Sequence, residues 1–175
     1  KKIGAENVAD TGNSISLDHA GNLIVGGSFS GTVDFAMGSG SFPIVSAGMN
    51  DVFVMKMSTA GNFIWAKSLG GTGIDLCADA VVCDDNGNIY TIGTFSETAD
   101  LNPGTGVFEF VSAGEYDVFV SKLDTDGNFA WAKQIGGVEF DFASSIALNE
   151  YEQVFIGGTY HGTVNFGSSG LQFTG

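Results

Sequence analysis

The side chains of this chain that could do chemistry are mostly carboxylates, and several recur at a fixed interval. Asp75 and Asp141 each close a Gly-Gly-x-x-x-Asp segment, while Asp51 and Asp117 each open an Asp-Val-Phe-Val run. A carboxylate can act as a base, hold a cation or cap a turn, and spacing separates these uses. A calcium loop needs three spaced oxygens before its glycine and a later acidic ligand. Asp-Asn-Gly at 85–87, preceded by Asp84, and Asp-Thr-Asp-Gly at 124–127 carry only part of that set. His19 and His161 are the two histidines, and no Cys/His spacing accompanies them, which argues against zinc. No nucleophile motif points to a Ser-His-Asp triad. The Gly-Gly pairs are not followed by Gly-Lys-Ser/Thr, so they do not form a phosphate loop. Cys77 and Cys83 fall in or beside one expected strand, which holds them too far apart for a disulfide. They read as small buried apolar residues. These patterns point away from an enzyme.

The basic residues narrow the partners further. The chain has 20 acidic residues, six lysines and no arginine, for a net charge of −14. Nucleic-acid binding relies on Lys and Arg to neutralise phosphates. A chain of this sign is repelled by DNA, RNA and anionic lipid, so no nucleic-acid partner is expected. No apolar run is long enough to cross a bilayer as a helix, and no membrane insertion is expected. Lys56 and Lys122 recur, as do Lys67 and Lys133. Their expected use is structural, paired with Asp51 and Asp117 or lying over the faces of Trp65 and Trp131.

The elements that hold these residues are repeats. The segment 51–71, DVFVMKMSTAGNFIWAKSLGG, returns at 117–137 as DVFVSKLDTDGNFAWAKQIGG. Upstream, 17–35 matches 83–101, and a third copy at 148–166 follows one residue short of register. The period is about 66 residues. Within one period, four runs read as strands, at 78–84, 88–95, 117–123 and 128–135, rich in Val, Ile, Phe, Tyr and Trp. Asn-Gly or Asp-Gly turns separate the first from the second and the third from the fourth. No sustained helical period appears, and Val118-Phe119-Val120 is apolar on both strand faces, as a sheet covered on both sides requires. With 27 glycines, two prolines and a mean hydropathy of +0.19, the chain reads as an all-β protein of short strands and tight turns. Four-stranded antiparallel sheets buried on both faces at a fixed period are what β-propeller blades provide.

One pattern is more specific. Gly87, Asn88, Tyr90 and Gly93, then Asp117, Phe119, Val120, Lys122 and Leu123, then Gly127, Trp131, Lys133, Gly136 and Gly137, resemble the bacterial β-propeller repeat called SBBP. Such repeats are common in large secreted and surface proteins of the Bacteroidota. In the third copy Tyr151-Glu152-Gln153 replaces the Asp/Asn-Gly turn, so that hairpin is expected to be looser.

The resemblance implies a propeller whose ring this chain completes only in part. Residues 1–12 would be the tail of a preceding blade, 13–69 and 79–135 two blades, and 145–175 a partial one. Further blades would come from a longer chain or another copy. Trp65 and Trp131 resemble the docking tryptophans of quinoprotein propellers, which wedge adjacent blades. By the same analogy Asp75 and Asp141 would lie at the channel mouth and bind a polar ligand, against the plainer reading of turn caps. The 100–104 segment echoes an SBBP variant, making Asp100 and Asn102, with Asp34 one period earlier, candidates for calcium; otherwise they are Asx turns. The implied function is a non-catalytic, extracellular or cell-surface scaffold that binds a protein or a glycan. An enzyme-associated glycan binder with Tyr116, Tyr151 and Tyr160 as stacking residues is one alternative, and a calcium-stabilised adhesin is another. Any function should lie where copies differ: 72–76 against 138–142, and the connections after Phe29, Phe95 and Tyr160.

Overall fold

The computed structural model describes residue 4 and residues 10–36, 40–166 and 172–173. Among these the structure is all-β, with sixteen strands and no helix. β1 (Thr11–Leu17), β2 (Leu23–Phe29), β5 (Asp51–Met57) and β6 (Phe63–Gly71) form an antiparallel meander. One period later, β7 (Asp75–Cys83), β8 (Ile89–Phe95), β11 (Asp117–Leu123) and β12 (Phe129–Gly137) form a second meander in the same order. β13 (Phe142–Leu148) and β14 (Val154–Thr159) begin a third, joined in parallel by the short β16 (Gln172–Phe173). Of the expected tail over 1–12, only Gly4 and residues 10–12 are described, with Thr11 and Gly12 opening β1, and parts of 145–175 also lie outside the described residues.

The connections between second and third strands are not plain loops. They fold into small hairpins, β3 (Thr32–Asp34) with β4 (Pro43–Val45) and β9 (Thr98–Asp100) with β10 (Glu109–Val111). β9 also pairs with the end of β6 through Gly70 and Gly71, and β15 (Val164–Asn165) pairs likewise with Gly136 and Gly137 of β12. This explains why β6 and β12 run two residues beyond the apolar pattern. β6 is extended by a hairpin, and β12 by a short strand, from the following repeat.

The Asn-Gly and Asp-Gly turns form as their chemistry requires. Asp84 Oδ1 accepts from the Asn86 and Asn88 amides at 3.0 and 2.9 Å, while Gly87 takes a φ of +79° that a side chain would resist. Asn149 makes the corresponding bonds to Tyr151 and Gln153, but there Glu152, a non-glycine, holds the positive φ. The closing backbone bond lengthens to 3.3 Å, against 3.0 Å at Asp84. The third hairpin keeps the turn and loosens it.

The sheets meet face to face. Ile24, Val52, Val54 and Leu69 of the first sheet bury against Cys77, Val81, Ile89 and Phe119 of the second. Tyr90, Ile92, Val118, Val120 and Ile135, on the other face of the second sheet, pack against Ile146, Val154 and Ile156 of the third. A strand carrying Val118-Phe119-Val120 is therefore covered on both sides, which is why it does not alternate with polar residues. Cys77 and Cys83 lie on β7 as free thiols, Cys77 buried in the first of these interfaces.

Candidate functional site

The residues with recurring charge separate into two sets, one at each end of the strands. At the turn end, Lys56 extends from β5 to Asp18 Oδ2 at 2.9 Å and to the carbonyl and hydroxyl oxygens of Thr125 at 3.0 and 2.9 Å. The Trp65 indole beside it donates to the same carbonyl at 3.4 Å and lies against Gly127, where a Cβ would come within 3.2 Å of the ring. Lys122 occupies the equivalent place one repeat later, 3.4 Å from Asp84 and 3.7 Å from Glu152, with its ammonium 4.7 Å from the centre of the Tyr90 ring. Trp131 meets Tyr90 edge-on at 6.1 Å. Lys67 approaches Gly127 from the side, and Lys133 is exposed on β12.

Of the two expected uses, pairing with Asp51 and Asp117 or lying over the tryptophan faces, the first does not hold for Lys56 and Lys122. Asp51 and Lys56 are five positions apart on one strand, and an odd separation sends their side chains to opposite faces. The lysines instead find the turn aspartates Asp18 and Asp84 on neighbouring hairpins.

Asp51 and Asp117 work at the other end. Asp51 accepts from the Ala47 amide and the Ser68 hydroxyl, both at 3.0 Å, and Asp117 from Ser112, Ala113 and Gln134. Next to them sit the two carboxylates expected to bind ligand. Asp75 is 1% exposed and accepts from the Gly71 amide at 2.7 Å, while its own amide donates to Asn50 O. Asp141 is fully buried and accepts from the Gly137 and His161 amides at 2.8 and 3.0 Å. Both hold the Gly-Gly-x-x-x-Asp segment closed as caps, and neither faces solvent. Burial, aided by the nearby charge of Asp51, pushes the Asp75 carboxyl up to about 7. Burial raises Asp51 as well.

The calcium candidates are also taken up by turns. Asp34 Oδ1 accepts from the Ala36 and Phe42 amides, and its Oδ2 from the Ser41 hydroxyl, all at 2.9 Å. Asp100 Oδ1 accepts from the Asn102 and Phe108 amides, and Asn102 Oδ1 from Gly104, again at 2.9 Å. These bonds close the β3–β4 and β9–β10 hairpins. Among the described residues no three His, Cys, Asp or Glu side chains converge as a metal-binding group.

What the loop end does present is aromatic. Tyr116 and Phe140 join through a parallel bridge, and their rings lie 6.0 Å apart at 21°. Phe142 completes a triangle, 5.7 Å from Tyr116 and 6.1 Å from Phe140, with interplanar angles of 28° and 8°. Phe140 and Phe142 remain 40% and 39% exposed, and neighbouring Val138 77%. Tyr116 also borders an open cleft of about 390 Å³, lined by Met49, Ile74, Ser96, Glu97 and Glu115. Of the three tyrosines expected to stack on a ligand, Tyr116 alone belongs to this cluster. Tyr151 stands exposed near the third hairpin, and Tyr160 packs edge-on to Phe166. The sequence reading passed over Phe140 and Phe142 individually, although they lie in the 138–142 segment where the copies diverge.

Comparison with known proteins supports the coarse assignment. No family model matches the chain. It is 28% identical over 120 residues to an uncharacterized WD repeat-containing protein, L264, of Acanthamoeba polyphaga mimivirus, covering 59% of this chain and 8% of that protein. It is 26% identical over 111 residues to the regulatory protein FlaEY of Caulobacter vibrioides, covering 63% of this chain and 12% of that protein. The chain is an all-β repeat protein. It has a distant relative with WD repeats, and it spans about a tenth of the length of either relative.

Proposed function

We propose that this chain is part of a β-propeller of the SBBP type, serving as a non-catalytic extracellular or cell-surface interaction module. The observation that carries this reading is the clasp at Thr125. Lys56 and Trp65 of one four-stranded meander grip the outer turn of the next, and the two meanders stack face to face. Repeat units joined by side chains in this way can be added around an axis, as propeller blades are. β9 and β15 extend the preceding outer strands β6 and β12 in the same sense. In the frame so built, the recurring carboxylates are used as caps and the recurring lysines as ties. Variation is left to the loops at the strand ends, the usual place for binding on a rigid scaffold.

The test combines binding with turnover. Immobilised protein is screened against glycans and extracellular proteins, and in parallel against ester, glycoside and peptide substrates. Saturable binding without turnover is the expected result. Turnover that disappears in Asp75→Asn or Asp141→Asn would replace the scaffold with an enzyme.

A further inference from the structure

The two repeats serve as controls for each other at the loop end. In the first repeat the bridge is Asn50 to Ile74, with Leu76 two residues on; in the second it is Tyr116 to Phe140, with Phe142 two residues on. The backbone is built the same way in both. Gly48 lies against the Gly71 and Thr72 carbonyls and Gly114 against those of Gly137 and Glu139, and in each case a Cβ would fall within 2.7 Å of a neighbouring backbone atom. Asp75 and Asp141 cap the two segments alike. The frame therefore does not need aromatic side chains here, because the first repeat closes the same loop with Asn, Ile and Leu. Three half-exposed rings brought together in one repeat need another explanation.

The surrounding polar groups indicate which partner fits. Exposed Glu115 precedes Tyr116 and borders the cleft with exposed Glu97, while exposed Glu139 precedes Phe140 and lays its carboxyl against Gly162, next to His161. The hydroxyls nearby are already engaged: Thr72 donates to Glu97 at 2.9 Å, and Ser96 donates to the Ile74 carbonyl and accepts from its amide. The His161 ring faces the Phe140 carbonyl. Among the described residues no lysine lines the cleft. Apart from the Tyr116 hydroxyl and the His161 ring, the exposed side chains named around the rings are carboxylate acceptors, and a sugar, whose hydroxyls both donate and accept, would find few donors among them. A guanidinium is the complement: five donors, no acceptor, and a planar cation that stacks on aromatic faces.

We infer that the Tyr116–Phe140–Phe142 cluster, with Glu97, Glu115 and Glu139 around it, is a docking site for an arginine side chain on a partner polypeptide. The guanidinium stacks on the rings while the carboxylates accept its N–H bonds. The net charge of −14 on a chain without arginine attracts a basic partner from a distance. This inference rests on reading the chain as an interaction module and names the partner chemistry of its loop end.

The test uses fluorescence anisotropy with a labelled Arg-Gly-Ser repeat peptide, its citrulline counterpart and neutral oligosaccharides, at low and high salt. The triple variant Tyr116→Asn/Phe140→Ile/Phe142→Leu carries the residues of the first repeat, so it should keep the thermal stability of the parent. It should bind the arginine peptide at least about tenfold more weakly. Glu115→Gln/Glu139→Gln should weaken binding and flatten its salt dependence, and citrulline should bind poorly. Equal binding by the triple variant, equal binding of citrulline, or no binding of the arginine peptide would overturn the inference. Oligosaccharide binding lost in the triple variant would overturn the arginine assignment and leave the interaction module standing. Turnover of any substrate would instead count against the module itself.

Discussion

The ammonium of Lys56 sits 2.9 Å from Asp18 Oδ2 in its own sheet and 3.0 Å from the carbonyl oxygen of Thr125 in the next. One cation thus ties a turn of the first repeat to a turn of the second. Both Lys56 and Asp18 are buried, and an ion pair so placed is costly to break from one side only.

Lys56→Met should therefore destabilise the protein by about 3 kcal/mol in denaturant unfolding, since it leaves Asp18 buried without its cation. Lys56→Met/Asp18→Asn should recover part of that loss. Lys122→Met should cost less, about 2 kcal/mol, because its pair with buried Asp84 is longer at 3.4 Å, its ammonium is more exposed, and no counterpart of the two Thr125 bonds is lost. Equal losses at the two lysines would mean that the Thr125 contact contributes nothing.

Gly61 and Gly127 occupy equivalent turns with φ of +75° and +79°, yet their surroundings differ. A Cβ at Gly61 meets nothing within 4 Å, whereas at Gly127 it meets Lys67 Cε at 2.9 Å and the Trp65 ring at 3.2 Å. Gly61→Ala should cost about 1 kcal/mol from backbone strain alone. Gly127→Ala should cost about 2 kcal/mol or more, because it also displaces the tryptophan. Thermal unfolding of the two variants side by side measures the difference.

Stability should pass through a maximum near pH 4. The Asp75 carboxyl, raised from 3.8 to about 7, binds its proton more tightly when folded. Its contribution is full below pH 3.8 and is lost as pH rises towards 7. Asp18, Asp84 and Asp124 are shifted the other way: burial opposes the shift, but bonds from Asn22, Asn88 and Asn128 outweigh it and hold these carboxyls below 3.8. Their contribution is present above pH 3.8 and is lost as pH falls further. Asp75→Asn should flatten the neutral limb and leave the acid limb intact, as read by unfolding free energy across pH. An unchanged neutral limb would assign that limb to other groups.

Asp100→Ala should cost about 1 kcal/mol, since the carboxylate caps the Asn102 and Phe108 amides. Chelator should leave the melting temperature of the parent protein unchanged. A rise in Tm on adding calcium that is absent in Asp100→Ala would show instead that the turn also holds a cation.

Much of the frame was legible in the chain. Strands β8 and β11 fall within one residue of the expected runs, because apolar β-branched and aromatic clusters and Asp/Asn-Gly turns act locally. The hairpins β3–β4 and β9–β10 were not legible. Each is three residues a side, too short for a periodic signal, and each is set by an aspartate bonding eight residues ahead, Asp34 to Phe42 and Asp100 to Phe108.

The candidate site was legible only as a location. Divergence between 72–76 and 138–142 marked the loop end, but that Tyr116 would meet Phe140 and Phe142 depends on a bridge between segments 24 positions apart in sequence. The sequence by itself determined the period, the strands, the turns and the net charge of −14. Tertiary structure alone decided that Lys56 joins Asp18 and Thr125 instead of Asp51, that Asp75 and Asp141 are buried caps, and that three rings share one surface. Strand and turn preferences are properties of neighbouring residues, whereas a side chain's partner is fixed by which sheets stack and in what register.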